Sequence, residues 1–153
     1  MSLRVGIGYD SHRLAGEGPL ILGGVEIPHD LGLQGHSDAD VLSHAITDAI
    51  LGAAGAGDIG RHFPPEDERW RDADSIELLG QVLAKLGCSV LNVDATVICE
   101  EPKLAPHVAA IVARLSDAIG APVSVKATTN EGMGAIGRGE GIAATAVALI
   151  ELD

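Results

Sequence analysis

The chain has 153 residues, 46% of them hydrophobic, but only one Phe, one Tyr and one Trp, and its formal net charge is -12. That length suits one compact domain over residues 1–153, with a core of Ala, Val, Ile and Leu rather than aromatic rings. The charge argues against nucleic-acid and anionic-membrane partners, which need clustered Lys and Arg, and so few aromatics build no base-stacking platform. A phosphorylated small molecule remains open to it, provided metal ions, backbone N–H groups or a few bases meet the phosphate charge locally.

In chain order, Leu3, Val5 and Ile7 alternate with small or polar residues and predict a first strand. "PLILGGVEIP" places Gly23-Gly24 between two short apolar runs, the composition of a hairpin turn. Ser37 stands as an N-cap ahead of "DADVLSHAITDAILGAAG", where Val41, Leu42, Ala45, Ile46, Ala49 and Ile50 recur at helical spacing. Asp38 and Asp40 are expected there as surface groups favoured by the helix dipole. "GDIGRHFPPEDERWRD" has no period and reads as a long loop of the kind that carries function. A helix from about Asp74 to Leu86 ends at Gly87, "SVLNVDATVICEE" reads as a strand, and a third helix runs from Pro106 to Ile119 before Gly120. "PVSVKATT" and "GIAATAVALIEL" complete the strands. Alternating strands and helices predict an α/β (α+β) sandwich, a mixed sheet with helices layered on it.

No apolar run approaches the length of a membrane span. Cys88 and Cys99 fit neither a disulfide framework nor a zinc knuckle, so the expectation is reduced thiols in the cytoplasm.

Three constellations carry chemistry. In "GYDSH", Asp10 and His12 are two residues apart, so in an extended segment a carboxylate and an imidazole point the same way. Alone the pair is compatible with a polar loop. His44 supplies a third ligand, making a two-His, one-carboxylate set with room for solvent or substrate. Zinc suits these ligands best, although iron and manganese also accept them. Asp48, one turn beyond His44, is positioned to accept the second imidazole N–H or to hydrogen-bond nearby groups. In "KATTNEGMGAIGRGEG", Gly132, Gly134 and Gly137 match a dinucleotide pattern, but the β-like run after them contradicts a Rossmann unit. The stretch reads instead as a flexible glycine loop with Thr128 and Thr129 as hydroxyl donors, Glu131 as a hard oxygen ligand and Arg138 as an anion partner, or as a merely structural turn. "EEPKLAPH" holds Lys103 between two prolines, either a backbone-lined base pocket or an ordinary strand-to-helix connection.

Together, "GYDSH", "LGGVEIP", "HSDADVLSHAITDAILGAAGAGDIGRHFP", "NVDATVI", "PKLAPH" and "VKATTNEGMGAIGRGEGIAA" resemble the 2-C-methyl-D-erythritol 2,4-cyclodiphosphate synthase family of the non-mevalonate isoprenoid pathway. The resemblance implies a homotrimer with active sites between subunits. It also implies a lyase reaction that closes 4-diphosphocytidyl-2-C-methyl-D-erythritol 2-phosphate to the cyclic diphosphate and expels CMP. By the same resemblance, Asp10, His12 and His44 fall on zinc ligands and Glu131 on a ligand for magnesium or manganese. His36 and Thr129 fall on groups that stabilise the transition state. Ser37, Asp58, Gly60 and the segment from Phe63 to Asp67 match methylerythritol-side contacts, Thr128 a diphosphate contact, Arg138 a substrate-phosphate or isoprenoid-diphosphate contact, and Cys99 through Ala105, with Lys103 and Leu104, the cytidine pocket. One departure stands out: Ala135 occupies a position where several members carry a bulky aromatic, which puts any isoprenoid diphosphate cavity on the trimer axis in doubt.

Overall fold

The computed structural model describes residues Met1–Asp153. Its first strand, β1, runs Ser2–Gly16, well past Ile7, so "GYDSH" lies inside a strand. The extension comes from pairing: Ser2 through Arg13 align antiparallel with Leu152 through Gly141 of β7 (Gly141–Leu152) without a break. That partner ladder holds Tyr9 to Arg13 extended although their composition alone does not demand it. β5 (Ser89–Ile98) lies antiparallel on the other side of β7 and parallel to β6 (Val123–Thr128). The short β4 (Gly32–Leu33) closes the opposite edge, giving the order β4-β1-β7-β5-β6. The mixed sheet expected from the sequence is therefore present. β2 (Leu20–Leu22) and β3 (Val25–Ile27) form the hairpin read around Gly23-Gly24.

Helices α1 (Val41–Ala53) and α4 (Val108–Ile119) pack against the sheet, and α3 (Ser75–Leu86) packs against both of them. Both α3 and α4 end on a left-handed glycine, Gly87 and Gly120. α1 is buried on nearly every side, flanked by β1, β7 and α3. Beneath it β7 presents Ala144, Ala146 and Ala148, all essentially inaccessible, and Leu42, Ile46, Ile50, Leu79 and Ile150 complete an aliphatic core. The opposite sheet face is bare: Leu3, Val5, Ile7 and Tyr9 are 62–73% exposed, with Val147 beside them.

The N-cap of α1 is Asp40 rather than Ser37, and the helix has no acidic residue in its first turn. Asp40 is fully buried: its carboxylate accepts from Ser43 N–H (3.0 Å), Ser43 O–H (2.7 Å), Gly23 N–H (2.9 Å) and Gly24 N–H (2.7 Å). It fastens the hairpin to the helix start, which corrects its assignment as a surface group. Burial pushes its carboxyl up, while the four donors act in the opposite sense. The loop after α1 contains a short helix, α2 (Ile59–His62), and a 3-10 turn at Glu68–Trp70. The glycine-rich stretch contains another single turn, α5 (Gly134–Gly137).

Candidate functional site

Because side chains alternate along β1, Gly6, Gly8, Asp10 and His12 share the face toward α1. At Gly6 and Gly8 a Cβ would lie 2.0 and 1.9 Å from the carbonyl oxygens of Ala49 and Ala45. The missing side chains let α1 rest directly on the strand backbone. His44, in the first turns of that helix, thereby meets the two side chains just beyond Gly8.

The Asp10 Oδ2 atom lies 2.9 Å from His12 Nε2 and 3.0 Å from His44 Nδ1, and the two imidazole nitrogens are 3.4 Å apart. These are the only three His, Cys, Asp or Glu residues grouped closely enough to share an ion. Ligands about 2.0–2.1 Å from a tetrahedral ion stand roughly 3.3 Å from each other, so the three atoms form one face of such a polyhedron. The remaining ring nitrogens are engaged elsewhere, as a ligand set requires. His12 Nδ1 donates to the Gln34 carbonyl at 2.9 Å, and His44 Nε2 lies 2.8 Å from Ser75 Oγ and 3.1 Å from Ser37 Oγ.

Burial would raise the Asp10 carboxyl, but hydrogen bonds and charge from His12 and His44 prevail and hold it down at about 2. Burial depresses the His12 imidazole, and the Asp10 hydrogen bond and charge more than reverse this, leaving it above its ordinary value. Asp48 does not bond His44. Of the two roles open to it, the structure shows the second: its Oδ1 accepts from Ile59 N–H at 2.7 Å and so anchors the start of α2.

The triad heads a cavity of about 260 Å³. Polar His36 and Ser37 line it together with apolar Ile59, Phe63, Trp70 and Leu78. Phe63 and Trp70 meet edge to face at 4.9 Å. His36 Nε2 donates to the Asp67 carbonyl at 3.1 Å. The Asp67 carboxylate is engaged with Arg69 at 2.6 Å, and Asp58 caps α2 through Arg61 N–H at 2.9 Å. Gly60 also lines the cavity.

The other candidates form a second group, at the far edge of the sheet. Asp10 aligns with Ala144, Ala144 with Val97, and Val97 with Ala127, so three strand spacings, roughly 14 Å, separate β1 from β6. Thr128, Thr129 and Glu131 are exposed there, with Lys103, whereas Arg138 is exposed just before β7 in a pocket shared with Leu14 of β1, and none of them lines the Asp10 cavity. Glu131 has a left-handed backbone (φ 54°), and its N–H donates to Thr129 Oγ1 at 3.2 Å. Glu100, which the sequence places only as part of the Cys99 to Ala105 segment, accepts from Asn130 N–H at 2.7 Å and ties this turn to that segment. Arg138 pairs with Glu140 at 2.6 Å. Leu104 belongs to the core and Ala105, next to it, is exposed. Cys99 is buried and its thiol is pushed up to about 11 by burial and by Glu100 and Glu101, which makes it inert, whereas Cys88 is half-buried.

Fold and site together describe an α/β protein with a divalent-metal donor set at the mouth of a small-molecule cavity. The chain belongs to the YgbB family, whose profile matches residues 3–151. A 2-C-methyl-D-erythritol 2,4-cyclodiphosphate synthase from Gloeobacter violaceus is 58% identical over 97% of this chain and 95% of its own length. A solved structure of that synthase in a CDP-bound form superposes with a TM-score of 0.88 at 38% identity, covering 97% of this chain and all of the other. The bifunctional IspDF from Campylobacter jejuni matches at a TM-score of 0.95 and 39% identity over 99% of this chain, which spans 43% of that longer protein.

Proposed function

We infer that this chain converts 4-diphosphocytidyl-2-C-methyl-D-erythritol 2-phosphate to 2-C-methyl-D-erythritol 2,4-cyclodiphosphate and CMP. The observation that carries the reading is the Asp10, His12 and His44 donor face at a cavity of substrate size, in a chain so similar to synthases of that name. Zinc best matches one carboxylate and two imidazoles, and in that position it would polarise a phosphate oxygen and neutralise its charge. Glu131 is the candidate ligand for magnesium or manganese.

The rest of the catalysis falls to the chain itself. Nucleophile and electrophile belong to one polyanion, so the barrier is charge repulsion and ring closure, and holding both ends in line can supply several kcal/mol. His36 and Ser37, beside the triad, are assigned to the methylerythritol phosphate end, with the Phe63 and Trp70 wall excluding water. Lys103, Thr128, Thr129 and Arg138 are assigned to the cytidine diphosphate end, with Thr129 donating to the transition state. No covalent enzyme nucleophile is required.

These two groups lie far apart in one chain, so the reading includes a homotrimer in which the second group of one subunit faces the Asp10 cavity of its neighbour. The bare apolar strip of Leu3, Val5, Ile7 and Tyr9 supports assembly, because a patch of that kind on a sheet face is a docking surface. The charge of -12 and the lack of any helix long and apolar enough to cross a membrane accord with a small-molecule enzyme, assigned here to the cytoplasm.

Supplying the cytidine substrate with zinc and magnesium and following phosphorus NMR tests the reading. Cyclic diphosphate plus CMP is expected; an acyclic product would indicate a metal-dependent phosphohydrolase, and saturable binding without turnover a ligand-binding protein. His44→Ala is expected to abolish both tight zinc binding and turnover while retaining the fold.

A further inference from the structure

We propose that Ser75 and Asp38 are positioning residues for metal capture, because together they dictate which nitrogen of His44 carries its proton. The proposal rests on reading Asp10, His12 and His44 as a metal site. Proton accounting carries it. A carboxylate has only lone pairs to offer, and the Asp38 carboxylate accepts the Ser75 hydroxyl, with Ser75 N–H donating to Oδ2 at 3.0 Å and Asp40 N–H to Oδ1 at 3.1 Å. Ser75 has one hydroxyl proton. With that proton committed to Asp38, only lone pairs remain to meet His44 Nε2 at 2.8 Å, so Nε2 must be the protonated nitrogen. In the metal-free site Nδ1 faces Asp10 Oδ2 at 3.0 Å, and with Nε2–H held by Ser75 it is the Nδ1 position that a cation can claim while the ring keeps its one remaining proton.

Ser37 makes the relay necessary. Its Oγ also approaches His44 Nε2, at 3.1 Å, while accepting Ala39 N–H at 3.2 Å, so its own proton is uncommitted. Without Ser75, Ser37 is free to donate to Nε2, which places the imidazole proton on Nδ1 and blocks the ligand atom. With the relay in place, the Ser37 proton stays available to the cavity it lines. The two relay residues come from separate elements, Asp38 from the turn before α1 and Ser75 from the first position of α3. The Asp38 N–H bond to the Ala73 carbonyl at 3.1 Å holds those elements together. Ser75 is 1% exposed, so no solvent replaces it.

The test titrates zinc alone into metal-stripped protein against a chromophoric chelator, with unfolding of the metal-free protein measured in parallel. Ser75→Ala is expected to weaken zinc binding by about 10–100-fold, and Ser75→Thr, which retains the hydroxyl, to restore it. In the zinc-loaded protein the His44 Nε2–H proton, seen by nitrogen-15 NMR, is expected to exchange slowly in the native chain and fast in Ser75→Ala. Should Ser75→Ala fail to fold, Asp38→Ala decides, since it keeps the Ser75 hydroxyl but removes its obligatory acceptor and is expected to weaken zinc binding too. Native-like affinity in the folded variant overturns the proposal and leaves the metal site standing. So does a loss that Ser75→Thr fails to rescue. A native chain that binds no zinc overturns the metal site itself.

Discussion

Replacing Gly8 with alanine places a methyl group where α1 rests on β1. The new Cβ would stand 1.9 Å from the Ala45 carbonyl oxygen and 2.7 Å from Ala49 N, both backbone atoms that no rotamer change can move. Reaching ordinary contact at 3.4 Å requires α1 to retreat by about 1.5 Å. His44 precedes Ala45 on that helix and would be drawn from Asp10 with it. Metal bonds tolerate only about 0.2 Å of error, so tight zinc binding is expected to be lost. Overpacking of this kind costs about 1–3 kcal/mol, which for a chain of this size lowers Tm by several degrees. Gly52→Ala is the matched control on the same helix, since its Cβ meets only the Ile7 carbonyl at 3.7 Å, and it is expected to be neutral or stabilising by up to about 1 kcal/mol. Chelator competition and thermal unfolding, run on both variants, read the two effects. A Gly8→Ala chain with native zinc affinity and native Tm would refute the claim that backbone contact sets the triad.

The pH dependence follows from the paired shifts. Asp10 is held at about 2, below its ordinary 3.8, so its contribution is complete above pH 4 and is lost as pH falls toward 2. That contribution is about 1–2 kcal/mol after solvent screening. His12 lies above its ordinary 6.5, so its contribution is present below that pH and is lost as pH rises through the raised value. Metal-free protein should therefore unfold at its highest temperature between these limits, whereas zinc affinity should climb with pH as the His12 proton leaves; an affinity flat from pH 6 to 8 would contradict this. Asp40→Ala strands four buried donors and removes a helix cap, for a loss of about 3 kcal/mol or more in denaturant titration. Ile7→Lys puts a charge in the bare apolar strip. Light scattering should show smaller particles and assays no turnover, with zinc binding retained, and a variant that stays assembled and active would count against that face as the interface.

Local patterns were enough to read the helix of Val41 to Ile50, the hairpin and the convergence of Asp10 with His12, because each depends on spacing along one segment. Misreadings arose where a distant partner decides. Ser37 and Asp40 are both competent caps, and the choice is made by the Gly23 and Gly24 N–H groups. Of the two roles open to Asp48, the choice falls to a loop whose position depends on the next element. Ser75 resembles any serine at a helix start until α3 is laid beside α1, and no signal in the chain marks it. Tyr9 to Arg13 are extended because β7 pairs with them, and the missing Cβ at Gly8 becomes informative only once a helix is known to lie above it.

In the proposed trimer, the three strand spacings, roughly 14 Å, between β1 and β6 would make each subunit half of two different sites rather than the whole of one. Chains disabled in opposite halves, His44→Ala and Glu131→Gln, are then each silent alone, yet mixed after dissociation they rebuild some intact junctions and recover part of the turnover. On the same reading, activity is expected to fall faster than protein concentration on dilution, as it would for a catalytic unit that is a boundary between chains and not a chain.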